Sequence, residues 1–231
     1  MERHLDDELQ KLKSNLLKMA TLTEEGIHNS IESLKNQDSD LAESVIQDDQ
    51  KIDALELTIE EHAIELLALF QPMASDLRFI TTGMRINTEL ERIADLNVNI
   101  CQRVKELSSY PLLKPLVEIP QLADVAKEMV REAIDAFVRR DKETATKVIL
   151  TDKQANELRN KAMEQLMNDY LIKDGSTAPR AIPLFLIARD LERICDHAAS
   201  ISEDVIYMVQ AKMIRHHRER LLAIESIDSE E

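Results

Sequence analysis

Glycine occurs only three times in the 231 residues, tryptophan is absent, and aromatic residues together make up 3%. Hairpin turns and sandwich cores depend on those residue types, so their scarcity argues against a β architecture. The Leu, Ile, Ala, Glu and Lys that fill the chain instead predict an all-α fold. The two cysteines, Cys101 and Cys195, provide neither a CxxC spacing nor a disulfide framework; both lie in apolar helical patterns and are expected as buried free thiols. The longest apolar run, Ala181 to Ala188, is interrupted by Pro183 and falls far short of the ~20 residues that span a bilayer. No signal peptide precedes Met1-Glu2-Arg3-His4, so a cytoplasmic protein is expected. Positive charge is also scarce. Twenty-nine Lys and Arg against 44 Asp and Glu leave a formal charge of −15, which repels phosphate backbones and anionic headgroups and favours cations or basic protein surfaces as partners.

Apolar residues recur at steps of three and four almost throughout, the signature of amphipathic helices. Breaks where Pro, Gly and Ser collect predict helices near 3–36, 39–70, 75–108, 118–139, 142–172 and 178–218, with Ser75 and Thr177 as N-caps. The segment from Ser108 to Pro120 contains three prolines and cannot continue a helix, so it joins two halves. Those halves are related. Ile31, Asp38, Ala42, Val45, Ile46, Asp49 and Leu55 recur 103 positions later as Ile134, Asp141, Ala145, Val148, Ile149, Asp152 and Leu158. Leu90, Glu91, Arg92, Ile93, Asp95, Ile100 and Val104 recur 101 positions later as Leu191, Glu192, Arg193, Ile194, Asp196, Ile201 and Val205. The expected architecture is two tandem three-helix bundles, residues 1–108 and 118–218, followed by an acidic tail over 219–231.

Glu91 and Asp95, like Glu192 and Asp196, stand one helical turn apart on one face, pointing away from the Ile86, Leu90, Ile93, Ile100, Val104 stripe. Asp53 and Glu91 are equidistant from position 72, as are Asp49 and Asp95, so a straight antiparallel helix pair brings four acids to matching heights. In the second half Asp152 matches Asp196 about position 174, while Asn156 stands opposite Glu192. Clustered carboxylates suit hard cations such as Mg²⁺, Mn²⁺ or Ca²⁺ and also hold iron, with Zn²⁺ a further candidate, because the cation removes their mutual repulsion. Acids spaced by four also arise by accident on solvated faces of so acidic a chain. Recurrence of Glu-Arg-Ile-x-Asp at one place in both halves is what favours a site.

Other candidates carry less. Glu25 and His28 form one Glu-x-x-His, but a di-iron bundle needs a second on another helix, and none occurs. His197, beside Asp196, is expected to be structural or to join the metal set. The run Arg215-His216-His217-Arg218-Glu219-Arg220 complements the dipole of the last helix or docks an acidic partner, and Glu225 to Glu231 reads as a frayed tail. Nucleophile–base pairs, phosphate-cradling glycine loops and zinc-type spacings do not occur, so no enzyme is expected.

At these residues the sequence resembles the PhoU family of bacterial accessory proteins of phosphate-specific transport, from about Arg3 to Val209. The likeness rests on the opening Leu5-Asp-Asp-Glu-Leu-Gln-Lys-Leu, the turn Gln71-Pro-Met-Ala-Ser-Asp-Leu-Arg78, and the motifs Glu91-Arg-Ile-Ala-Asp95 and Asp190-Leu-Glu-Arg-Ile-Cys-Asp196-His. The resemblance implies paired three-helix bundles and a regulator of phosphate uptake and the phosphate-starvation response, bridging the transporter's cytoplasmic ATPase subunit and a sensor histidine kinase. It also implies metal ligands at Glu91, Asp95, Glu192 and Asp196; Asp49, Asp53 and Asp152 are added by helix geometry. Asn156 departs from the pattern, as does the long charged tail beyond Met208. The resulting expectation is a homodimeric, non-catalytic regulator that inserts into no membrane. A carboxylate-bridged metalloenzyme and a metal-free helical adaptor are the alternatives.

Overall fold

The computed structural model describes residues 2–113 and 117–211 and is built of six helices: α1 (Glu2–Asn36), α2 (Ser39–Phe70), α3 (Ala74–Leu107), α4 (Glu118–Arg139), α5 (Lys142–Gln165) and α6 (Ala178–Gln210). Among the described residues there is no strand, and no helix is long and apolar enough to cross a membrane. The all-α expectation holds, and α1–α3 and α4–α6 form the two bundles.

The first turn of each bundle is built identically. Gln37 and Arg140, 103 residues apart, take left-handed conformations with φ of 52° and 55°. Each is followed by an aspartate whose carboxylate caps the next helix: Asp38 accepts from the Asp40 and Leu41 amides at 3.1 and 2.9 Å, and Asp141 from those of Glu143 and Thr144 at 3.0 and 3.2 Å. A capping aspartate contributes about 1 kcal/mol, offsetting the roughly 1–2 kcal/mol that a non-glycine residue loses in the left-handed region.

The second turns differ from expectation. α3 begins at Ala74 after Met73, which makes no side-chain cap, and Ser75 lies inside the helix with its hydroxyl directed to Asp76 at 3.4 Å. Thr177 does precede α6, but its hydroxyl donates to the Asp174 carbonyl at 2.7 Å; Asp174 instead caps the short 3-10 turn Gly175–Thr177. The helix expected over 142–172 widens into a π-helical turn at Leu166–Leu171, where the Ile172 amide reaches back five residues to the Met167 carbonyl at 3.0 Å. α6 closes at Gln210 with Ala211 left-handed. The expected continuation to 218, the basic run and the acidic tail lie outside the described residues.

α3 and α6 are central: fifteen of the 34 residues of α3 are buried, against six of the 32 of α2. They pack against each other along the most extensive helix–helix interface, and α1 against α4 extends the junction. Arg85 pairs with Asp204 at 2.9 Å, Arg103 with Asp190 at 2.6 Å and His197 with Glu89 at 2.6 Å, so α3 and α6 run antiparallel. Phe79 stacks on Phe137 with ring centroids 4.8 Å apart, joining α3 to α4 across the same junction. Cys101 and Cys195 are buried thiols, as expected. On α1, Gly26 gives Asn97 its room, since a Cβ there would come within 2.7 Å of the Asn97 amide nitrogen that donates to the Thr23 carbonyl at 3.2 Å.

Candidate functional site

The Ile86, Leu90, Ile93, Ile100, Val104 stripe is fully buried, which fixes the rotation of α3 and turns Glu91 and Asp95 outward. Asp95 is exposed and Glu91 half-buried. α2 lies antiparallel beside them, pinned where the Asn87 side chain donates to the Glu56 carbonyl at 2.9 Å, so the matching heights deduced from position 72 are observed. Burial, then the charges of Asp53 and Asp95, raise the Asp49 carboxyl from 3.8 to about 6. Glu91 is raised by burial and then by Asp95, Glu56 and Asp53, with Arg92 opposing. Acids on two helices thus feel one another across the groove.

Sequence reasoning missed one member. Burial, then Glu60, Asp53 and Asp95, raise Glu56 as well, so it belongs to the cluster. Its counterpart 103 residues on is Arg159, and that exchange divides the two halves chemically. In the second half the Arg159 guanidinium lies 3.5 Å from Glu192 and donates to the Asn156 side-chain oxygen at 2.8 Å, while Asn156 donates to the Asp152 carbonyl at 3.1 Å. Glu192 is still raised, chiefly by burial; Arg159 opposes, and Asp196 and Asp152 add to the rise. Asp152 is buried and Asp196 half-buried. The offset of 103 that relates the two halves sets Glu56 against Arg159 in the sequence itself.

The first half therefore presents Asp49, Asp53, Glu56, Glu91 and Asp95, five acids with their charge unbalanced. The second presents Asp152, Glu192 and Asp196 around an internal cation. Among the described residues no three or more His, Cys, Asp or Glu side chains converge as a ready-made metal ligand set; the acids of the first half stand apart, as like charges do. The chemistry of that set suits a hard cation, whose charge would relieve the repulsion that raises Asp49 and Glu91. The second set fits one only if Arg159 swings away.

His197 resolves to the structural reading: its Nδ1 is held by Glu89 of the other bundle, and both side chains are largely buried. His28 is exposed on α1.

The PhoU domain family model matches the chain twice, over residues 16–104 and 119–205, one match per bundle. The chain is 39% identical over 209 residues to a phosphate-specific transport system accessory protein PhoU homolog from Aquifex aeolicus, covering 90% of this chain and 94% of that one. It is 32% identical over 209 residues to the accessory protein PhoU of Escherichia coli K12, covering 90% and 86%. The crystal structure of PhoU from Pseudomonas aeruginosa superposes with a TM-score of 0.86 at 34% identity, over 90% of this chain and 99% of that one. The phosphate transport system regulatory protein PhoU of Streptococcus pneumoniae gives 0.84 at 26% identity, over 90% and 98%.

Proposed function

Because the chain belongs to the PhoU family, we propose that it regulates phosphate uptake and the phosphate-starvation response through protein contacts, without catalysis. What carries the reading is the double match of the family domain to both bundles, together with the names of its relatives as accessory proteins of phosphate-specific transport. The partners are the transporter's ATPase subunit and a sensor histidine kinase, engaged from the cytoplasm by a homodimer. Deletion should switch on phosphate-starvation genes in phosphate-rich medium; unchanged expression in a reporter assay would refute the proposal.

Within that role the first bundle binds a cation. Asp49, Asp53, Glu91 and Asp95 hold it, with Glu56 adding negative charge. A bound cation supplies charge neutralisation, allowing the facing acids of α2 and α3 to draw together. Glu192, Asp196 and Asp152 of the second bundle bind one only in exchange for the Arg159 contact. Metal analysis of the purified protein, before and after Glu91→Gln with Asp95→Asn, tests this part separately. A metal content near zero in both leaves a metal-free helical adaptor as the correct account.

A further inference from the structure

α2 packs on α1 and α3, which leaves its third side to solvent. On that side Ala54, Leu57, Glu61, Ile64 and Ala68 follow one another at steps of three and four, and all five are exposed, Leu57 by 59% and Ile64 by 53%. This is the spacing of one helix's contact row in a coiled coil, here about 21 Å long at 1.5 Å per residue. Asp53 and Glu60 border the row on one edge and Glu65 on the other. Between Lys51 and Arg78 the chain has no lysine or arginine, and the ion pairs of α2 are made away from the row, by Glu43, Asp48, Lys51 and His62.

The other bundle is an internal comparison. α5 holds the place of α2, yet 103 positions on it carries Glu157 and Asn160 where α2 carries Ala54 and Leu57, and exposed Lys153 and Lys161 stand among its acids. Beyond Gln165 the π-helical turn shifts the register, so Met167 prolongs no row. One helix of the duplicated pair therefore keeps an ordinary solvated face, while the other has an apolar row edged by uncompensated acids. Exposed apolar residues scattered singly need no account, whereas a row in register with a charged edge marks a contact surface.

We infer that the outer face of α2 docks a basic amphipathic helix of another protein, whose apolar residues at three- and four-residue steps lie against Leu57 and Ile64 and whose Lys or Arg side chains face Asp53, Glu60 and Glu65. Edge charges choose the partner in such helix pairs, and a polar residue within the row fixes the register, so Glu61 calls for a Lys or Arg opposite it. A second copy presenting the same face does not meet the requirement, because two α2 helices would bring acid against acid at Glu61 and along both edges. The inference concerns the chemistry of the docked helix and holds whatever process its owner serves, so it stands apart from the phosphate reading.

A photoreactive residue in place of Thr58, exposed beside the row, tests the docking in the full chain inside cells, with the crosslinked peptides sequenced. The expected product joins this position to a segment of another protein that carries apolar residues at three- and four-residue steps with Lys and Arg along their edges. Leu57→Ser with Ile64→Ser, both at exposed sites, should leave helix content and melting temperature unchanged and cut that product roughly tenfold, the loss expected for two apolar anchors. Met167→Ser, on the corresponding helix of the second bundle, should leave it intact. The inference is overturned by no product, by a product within or between copies of this chain, by a captured segment without the basic edges, or by a yield indifferent to the serine pair. Phosphate-starvation genes are not read in this experiment, so failure of the regulatory proposal leaves its outcome unaffected.

Discussion

Asp49→Asn should stabilise the protein at pH 8 and have little effect near pH 4. In the fold the Asp49 carboxyl titrates at about 6, against 3.8 for the unperturbed group, because it is half-buried and faces Asp53 and Asp95. The folded value lies above the unfolded one, so between about pH 4 and 6 the fold holds a proton that the unfolded chain has released. Stability therefore increases as pH falls through that window, and the charge penalty is complete above it. At 1.36 kcal/mol per unit the penalty is at most about 3 kcal/mol. Solvent screening of a half-exposed group reduces this to about 1 kcal/mol, or a midpoint gain of roughly 2–4 °C for a chain of this size. Thermal melts in chelator at pH 8 and pH 4 read the difference directly. Equal destabilisation by Asp49→Asn at both pH values would show that the carboxylate is held by favourable contacts, and the reasoning from repulsion would fail.

Arg159→Glu restores to the second bundle the acid that the first carries at Glu56, and should add a second cation equivalent by titration calorimetry with Mn²⁺; an unchanged stoichiometry would show that Asn156 alone disables that site. Gly26→Ala should destabilise by about 1–2 kcal/mol despite its better helix propensity, because the new Cβ displaces the Asn97 amide; adding Asn97→Ala should reverse the loss, as read by urea midpoints. Arg103→Ala leaves Asp190, 1% exposed, with the longer Arg189 contact at 3.6 Å and should cost about 2–3 kcal/mol in urea unfolding, below the roughly 3–5 kcal/mol of a buried charge stripped of all partners. A loss under 1 kcal/mol would mean the pair does little to hold the two bundles together.

Periodicity and proline placed α2 and α4 within a residue because the buried faces of those helices recur without interruption and their ends coincide with chain breakers. The acidic groove was legible for a related reason: an antiparallel pair about one turn turns sequence distance into height. The turns themselves were not. Ser75 and Thr177 are good capping types, yet the protein caps with Asp38, Asp141 and Asp174, and that choice depends on which residue the preceding turn leaves in extended conformation. The π-helical turn at 166–171 has no composition that distinguishes it from ordinary helix. Nor could periodicity show that α3 and α6 run antiparallel, since the contacts of Arg85, Arg103 and Glu89 link residues 87 to 119 positions apart.

Because α3 and α6 lie head to tail, the Gln71–Met73 and Asp174–Thr177 bends sit at opposite poles of a body as long as α3, whose 34 residues extend about 50 Å. Screening in the cell fades charge over ~8 Å, so bodies gripping the two poles would be electrostatically deaf to each other. Whatever passes between them has to travel as motion of one helix along another, through the ion-paired seam in the middle.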